Sequence, residues 1–256
     1  MTAQQTATLI WEGLRQGRTL RSDLPAISSP EDGYRTQLAV LALALAAGEK
    51  QAGWKVGLTA EATQNFLGHH ERIFGYLLES GEMRGGGVLR FDHLVAPLFE
   101  PELCVVVSET LQGPGVTVEQ ARVAIRSVAP AIEVVEVGER RAAELPLILA
   151  ENSAQKHFIA GPFTSPVSPH VELQATTVEI FINGEMVERA GGHEVMEGAE
   201  GSVAWLANKL SEFGLGLAPG DRVMTGSFTK PYPIHSGDRI ETRFDPFGTV
   251  SFEVGV

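Results

Sequence analysis

Cysteine is nearly absent from this chain: Cys104 is the only one in 256 residues. No intrachain disulfide can form, and the lone thiol is expected to pack as a small apolar group. Positive charge is also scarce, with 20 Lys and Arg against 32 Asp and Glu, a net charge of -12 and a pI near 5.1. No basic cluster or stripe interrupts that balance, which argues against nucleic acid or an anionic membrane surface as a partner. Long apolar runs are missing. The longest, Leu38 to Gly48, is too short to cross a bilayer, and Met1-Thr2-Ala3-Gln4-Gln5 lacks the basic start and apolar core of a signal peptide. A cytoplasmic protein is expected. There is no Gly-x-Ser-x-Gly elbow for a Ser-His-Asp hydrolase. Gly85-Gly86-Gly87 lacks the strand-to-helix setting of a phosphate loop and reads as a turn. No internal repeat or low-complexity segment is evident. What remains is 43% hydrophobic and 20% charged, an ordinary globular composition long enough to bury a large core.

The first fifty residues read as helical. Thr6 to Leu14 carries apolar residues at helical spacing, and Ser29-Pro30-Glu31-Asp32 opens a second helix with a capping serine, a first-position proline and acids in the first turn. That helix runs to about Gly48. Then the character changes: Trp54 to Thr59 reads as a strand, Thr59 to Leu67 as a helix, and Gly68-His69-His70-Glu71 as a connection. Thr117-Val118-Glu119-Gln120 has capping-box spacing and predicts a helix to about Val128. Asn183-Gly184 within an alternating stretch from Thr176 to Val187 predicts a two-residue hairpin. A helix over Ser202 to Phe213 and strands near 222–225, 239–243 and 250–254 follow. The pattern is α+β, with a helical N-terminal section over residues 1–52 and a β-rich body over 53–256.

Within that body, carboxylates interrupt apolar, β-branched runs. Phe99-Glu100-Pro101-Glu102-Leu103 leads into Cys104-Val105-Val106-Val107, and Ala131-Ile132-Glu133-Val134-Val135-Glu136 forms a second run. Burying a carboxylate without a partner costs several kcal/mol, so repeated burial implies a cation. Glu100 and Glu102 are two apart and share a strand face. Glu133 could close the set, while Glu136 is an odd number of residues away and is expected on the surface. Pro101 is expected at a strand edge or start. Three carboxylates suit a hard dication such as Mg²⁺ or Mn²⁺ better than zinc. Solvated strand-end acids are the ordinary alternative.

Several stretches, taken in order, resemble the fumarylacetoacetate hydrolase superfamily, and within it the 2-hydroxypenta-2,4-dienoate hydratases and 4-oxalocrotonate decarboxylases. They are Gly53-Trp54-Lys55-Val56-Gly57-Leu58-Thr59, Phe74-Gly75-Tyr76-Leu77-Leu78, Glu100-Pro101-Glu102, Ala131-Ile132-Glu133-Val134-Val135, Val203-Ala204-Trp205-Leu206-Ala207-Asn208 and Met224-Thr225-Gly226-Ser227. The resemblance implies a mixed, barrel-like β fold, a small 2-oxo acid substrate, and a homo-oligomer formed alone or with a related pathway enzyme. It implies that Glu100, Glu102 and Glu133 hold Mg²⁺ or Mn²⁺, that Lys55 lines the active site, and that Thr225 and Ser227 face the ligand. The lead activity it implies is a lyase hydrating a 2-hydroxy-dienoate through a metal-stabilised enolate in aromatic-compound catabolism. Decarboxylation of a 2-oxo-dicarboxylate, C–C hydrolysis of a 1,3-dicarbonyl and a non-catalytic partner subunit are the alternatives.

The chain departs from the hydratase pattern at several places, among them Glu79-Ser80, where an acid pair is expected after Leu78. Ile73 stands where an aspartate normally transfers protons; Glu71 and His70 are the candidates to replace it, though both also read as surface loop residues. Glu151-Asn152-Ser153-Ala154-Gln155-Lys156 replaces an Asp-Asn-Ala-Ser-Ser-Gly-like stretch. It retains Asn152 as a substrate- or loop-orienting group and adds Lys156 as a second candidate cation. Gly192-His193-Glu194-Val195-Met196-Glu197-Gly198 replaces the loop expected near the distal end of the substrate.

Overall fold

The computed structural model describes residues 2–17, 24, 26–136, 144–168 and 170–255. Its elements in chain order are α1 (Ala3–Arg15), α2 (Pro30–Ala46), β1 (Gln51–Gly57), α3 (Glu61–Leu67), β2 (Ile73–Leu78), β3 (Glu82–Met83), β4 (Val88–Leu89), β5 (Leu98–Val107), α4 (Val118–Ala124), β6 (Ile125–Val135) and α5 (Leu145–Ala150). They continue with β7 (Gln155–Ala160), β8 (Thr177–Ile182), β9 (Glu185–Gly191), α6 (Gly198–Ser211), β10 (Arg222–Met224), β11 (Tyr232–Pro233), β12 (Arg239–Asp245) and β13 (Gly248–Val254). The α+β class holds, with helices first and a β-rich body after.

Local chemistry sets the helix starts. Ser29 caps α2 by accepting from the Asp32 amide, and Thr117 and Gln120 form the expected capping box on α4. The helix expected to reach Val128 stops at Ala124, however, and the chain runs straight into β6. Ile125, Val128, Ile132, Val134 and Val135 favour the pleated state, and Pro130 could not continue a helix. Asn183 and Gly184 take positive φ at the tip of the β8–β9 hairpin. The last long helix, α6, begins at Gly198, four residues ahead of the expected Ser202.

The strands form two sheets. The larger has the order β2-β1-β10-β5-β6-β7-β3, with β11 also on β5; the smaller has β4-β13-β12-β8-β9. One face of the large sheet joins the main core, under the small sheet, α2 and α6. Its other face carries a separate cluster of Ala52, Leu77, Cys104, Ala131, Phe158 and Met224, contributed by β1, β2, β5, β6, β7 and β10. Side chains from strands that far apart can meet only if the sheet curls with this face inside. The result is a half-barrel with an apolar floor.

The turn Asn152–Ala154 bridges the two ends of the curl. The Tyr76 amide donates to Asn152 Oδ1 at 2.7 Å, and Asn152 Nδ2 donates to the Tyr76 carbonyl at 2.9 Å. Ser153 donates to the Phe74 carbonyl at 2.5 Å, and Gln37 Nε2 donates to the Phe74 and Leu149 carbonyls. These side chains satisfy the free edge of β2, which would otherwise leave buried polar groups unpaired. The turn holds three consecutive residues at positive φ (60°, 50° and 67°), a strained backbone that the side-chain bonds keep in place.

Pro101 is not at a strand edge or start but inside the ten-residue β5, paired with Ile132 of β6. Its carbonyl, and so its missing N–H, faces the other way, toward the loop after β10, where it accepts from the Phe228 amide at 3.0 Å. No β5–β6 ladder bond is lost. Glu136 is also not a surface residue: it is buried just beyond β6, and its amide donates to the Ala154 carbonyl.

Candidate metal centre

The register of β5 on β6 pairs Glu100 with Glu133 directly, and Glu102 lies two residues along on the same face. All three carboxylates point into the half-barrel above its apolar floor. One oxygen from each lies within 4.8 Å of the other two. Lys55 enters from β1, and its ammonium is 3.4 Å from Glu133 Oε1. Lys55 and Glu133 are 3% and 0% exposed, so the pair is shut away from water.

Glycines make room for this cluster. A Cβ on Gly75, which pairs with Lys55 across β1 and β2, would sit 2.9 Å from both the carbonyl and Oδ1 of Asn152 and 3.3 Å from Lys55 Cε. Gly226, at φ 106°, brings its amide within 2.8 Å of Glu102 Oε2 and leaves no space for a side chain against Thr59. Neither was singled out from the sequence, though a glycine inside the apolar run Ile73–Leu78 is the usual mark of a close approach.

The electrostatics are those of a site short of positive charge. Burial, and then the charge of Glu133, raise Glu100 to about 7. Burial raises Glu102 well above the carboxylate range, with Glu133 and Glu100 adding to it, and burial also raises Glu133 against the pull of Lys55. Burial alone would lower Lys55, but the three carboxylates, Glu133 foremost, outweigh it and hold the ammonium above its ordinary value. One cation faces three acids. Glu133 has no well-aligned hydrogen bond: its nearest cation, the Lys55 ammonium, stands 3.4 Å from Oε1. Clustered carboxylates, two buried and one half-buried, with no His or Cys among them fit a hard divalent cation such as Mg²⁺ or Mn²⁺.

A carboxyl group whose folded pKa is raised stabilises the fold at low pH and loses that contribution as pH rises through the folded value. The thermal midpoint of the chain in EDTA is therefore expected to fall as pH climbs from 4.5, the ordinary glutamate value, through about 7, where Glu100 titrates. Saturating Mn²⁺ should raise the midpoint most at the alkaline end. Thermal unfolding across that range, with and without metal, checks both signs; a flat profile in EDTA would contradict them.

The structure gathers only some of the residues singled out in the sequence. Glu100, Glu102, Glu133 and Lys55 come together. Glu71 does not join them: it is exposed and pairs with Lys209 at 3.0 Å beside Tyr34, outside the barrel. His70 is exposed. Lys156 lies 3.9 Å from Glu136, lining a cleft of about 420 Å³ near α1. Asn152 spends both ends of its amide on β2, and the Thr225 hydroxyl donates to the Leu103 carbonyl at 3.0 Å. Ser227 Oγ accepts weakly from the Thr229 amide at 3.3 Å. Glu71 is thus drawn to Lys209 and His70 to solvent, while Lys156 is engaged with Glu136.

Comparison with known proteins agrees with this geometry. The fumarylacetoacetate (FAA) hydrolase C-terminal family matches residues 81–255. The 2-hydroxyhexa-2,4-dienoate hydratase of Comamonas testosteroni is 32% identical over 251 residues, covering 95% of this chain and 94% of that protein. The 4-oxalocrotonate decarboxylase of Pseudomonas sp. strain CF600 is 33% identical over 221 residues, covering 86% and 83%. Among solved structures, 4-oxalocrotonate decarboxylase from Pseudomonas putida G7, complexed with magnesium and adipate, superimposes with a TM-score of 0.89 at 30% identity over 99% of this chain and 98% of that one. This half-barrel with its acidic cluster belongs to the fumarylacetoacetate hydrolase family.

Proposed function

We propose that the chain is a metal-dependent lyase of 2-oxo-alkenoates and their 2-hydroxy-dienoate tautomers, of the hydratase and decarboxylase kind, serving aromatic-compound catabolism. The observation that carries this reading is the Glu100, Glu102 and Glu133 cluster with its oxygens within 4.8 Å, beside the buried Lys55. The activities of the relatives support it.

When bound by the three glutamates, Mg²⁺ or Mn²⁺ supplies Lewis-acid stabilisation to a 2-oxo acid. The chain's own contribution is positional. Lys55 holds a fixed ammonium at the cluster, preorganised for the oxygen on which charge grows, and a dry site makes that charge worth more than in water. The apolar floor of Leu77, Cys104, Phe158 and Met224 closes the barrel beneath it. A non-catalytic partner subunit would need neither the acid cluster nor the lysine. No helix is long and apolar enough to cross a membrane among the described residues. A cytoplasmic location and a homo-oligomer, alone or with a related pathway enzyme, belong to the same reading.

The test is consumption of 2-hydroxypenta-2,4-dienoate and of 2-oxohex-3-enedioate, followed in the ultraviolet with Mn²⁺ and with EDTA. Metal-dependent turnover of either supports the reading. Turnover indifferent to EDTA removes the metal from it, and metal binding without turnover of either compound overturns it.

A further inference from the structure

A cavity lies outside the half-barrel, between α1 and the seam where β2 and β7 approach each other. Its volume of about 420 Å³ falls within the size range of small-molecule pockets, roughly 300–1,000 Å³. None of Glu100, Glu102, Glu133 and Lys55 lines it. Tyr76 does. Gly75 pairs with Lys55 and faces the barrel interior, so its neighbour Tyr76 points to the opposite side of β2, toward the helices. Asn152, bonded to the Tyr76 amide and carbonyl, forms part of the partition between the two spaces.

The Tyr76 side chain is 4% exposed, yet its hydroxyl has no hydrogen-bond partner among the described residues; the bonds it makes are those of its backbone. Burial alone raises the phenol, with no neighbouring donor or charge to offset it. A buried hydroxyl without a partner is destabilising, and a ligand that bonds to it recovers the loss.

The rest of the lining decides what such a ligand is. Trp11 and Leu14 of α1, Val40 of α2 and Leu78 of β2 supply an apolar wall. Arg15 and Lys156 bring two positive charges against three negative from Glu49, Glu136 and Glu151, and burial favours the neutral form of His157. The balance is one negative charge. A carboxylate is disfavoured there, so the 2-oxo acid of the lyase reaction does not suit this cavity. An uncharged ring with one polar group does, its body against α1 and its tip on Tyr76.

We propose that this cavity is a second ligand site, separate from the metal centre, for a small uncharged aromatic molecule of the phenol kind, with Tyr76 as its hydrogen-bonding residue. Occupancy needs neither metal nor turnover, so the site stands or falls independently of the lyase reading.

Fluorine NMR of 4-fluorophenol with the full chain at neutral pH tests it. Binding in the millimolar range or tighter is expected, and adding Mn²⁺ with 2-oxopentanoate should leave it unchanged. Tyr76→Phe should weaken binding by about 3- to 10-fold, the net worth of one hydrogen bond. 4-Fluorobenzoate should bind about tenfold more weakly than the phenol. Without any probe, Tyr76→Phe should unfold at the wild-type temperature or above it, because the hydroxyl it removes has no partner. Leu14→Asp, at a side chain 45% exposed, sets a carboxylate on the apolar wall and should abolish binding while leaving the fold intact. Absence of 4-fluorophenol binding overturns the inference. So does its displacement by 2-oxopentanoate with Mn²⁺, which would put the probe in the half-barrel, or equal affinity in Tyr76→Phe and the wild type.

Discussion

Glu133→Gln is expected to abolish tight binding of Mg²⁺ or Mn²⁺, and turnover with it. Glu133 is the centre of the cluster: it faces Glu100 across the ladder, lies 3.4 Å from the Lys55 ammonium, and is 0% exposed. Its oxygens have no well-aligned hydrogen-bond donor, so its burial is compensated chiefly by the charge of Lys55. Glutamine keeps the shape and removes the anion. The affinity for Mn²⁺ should fall by about 100-fold or more, since even groups behind the ligands cost 10- to 100-fold. Stability separates this role from a merely structural one. In EDTA at alkaline pH, Glu133→Gln relieves repulsion among three clustered acids, two of them buried, so its thermal midpoint should match or exceed that of the wild type. The wild type should regain the lead when Mn²⁺ is added. Calorimetric titration with Mn²⁺ and thermal unfolding in both conditions check this, and an unchanged metal affinity would remove Glu133 from the ligand set.

Lys55→Met has the opposite signature on the metal. Removing a cation 3.4 Å from Glu133 lifts its repulsion of a dication, so Mn²⁺ affinity should hold or rise. Turnover should nevertheless drop by about 10²- to 10³-fold, the usual effect of losing one preorganised donor at a developing oxyanion. The metal-free variant carries three clustered acids, Glu102 and Glu133 buried among them, and no Lys55 ammonium. Loss of one partner of a buried pair costs about 3–5 kcal/mol, so it should unfold earlier in EDTA at alkaline pH and recover with saturating metal. The combination of lower kcat with undiminished metal affinity is the diagnostic result. A parallel loss of both would mean that Lys55 serves to assemble the ligands instead.

Much of this site was legible before any coordinates, because the rules involved act over a few residues. Period-two alternation places Glu100 and Glu102 on one face whatever the fold, and a carboxylate inside Ala131–Val135 signals a buried charge in need of a partner. The caps at Ser29 and Thr117 and the Asn183-Gly184 turn are likewise local chemistry.

What the tertiary structure alone decided was which distant groups meet. Only the β5–β6 register sets Glu100 opposite Glu133, and only the neighbour order of β1 brings Lys55 to them. The curl that turns one sheet face into an interior depends on six strands contributing to one floor, and on Asn152 and Ser153 binding the open edge of β2. Pro101 can sit mid-strand because its missing donor faces a gap between β10 and β11, which no local pattern records. Glu71 looked like a replacement for the lost acid because it is two residues from Ile73; in space it belongs to Lys209. Short-range preference dictated the face each side chain takes along its own strand. Packing over the whole chain dictated which faces close together, and so confined three acids and one lysine to the same half-barrel.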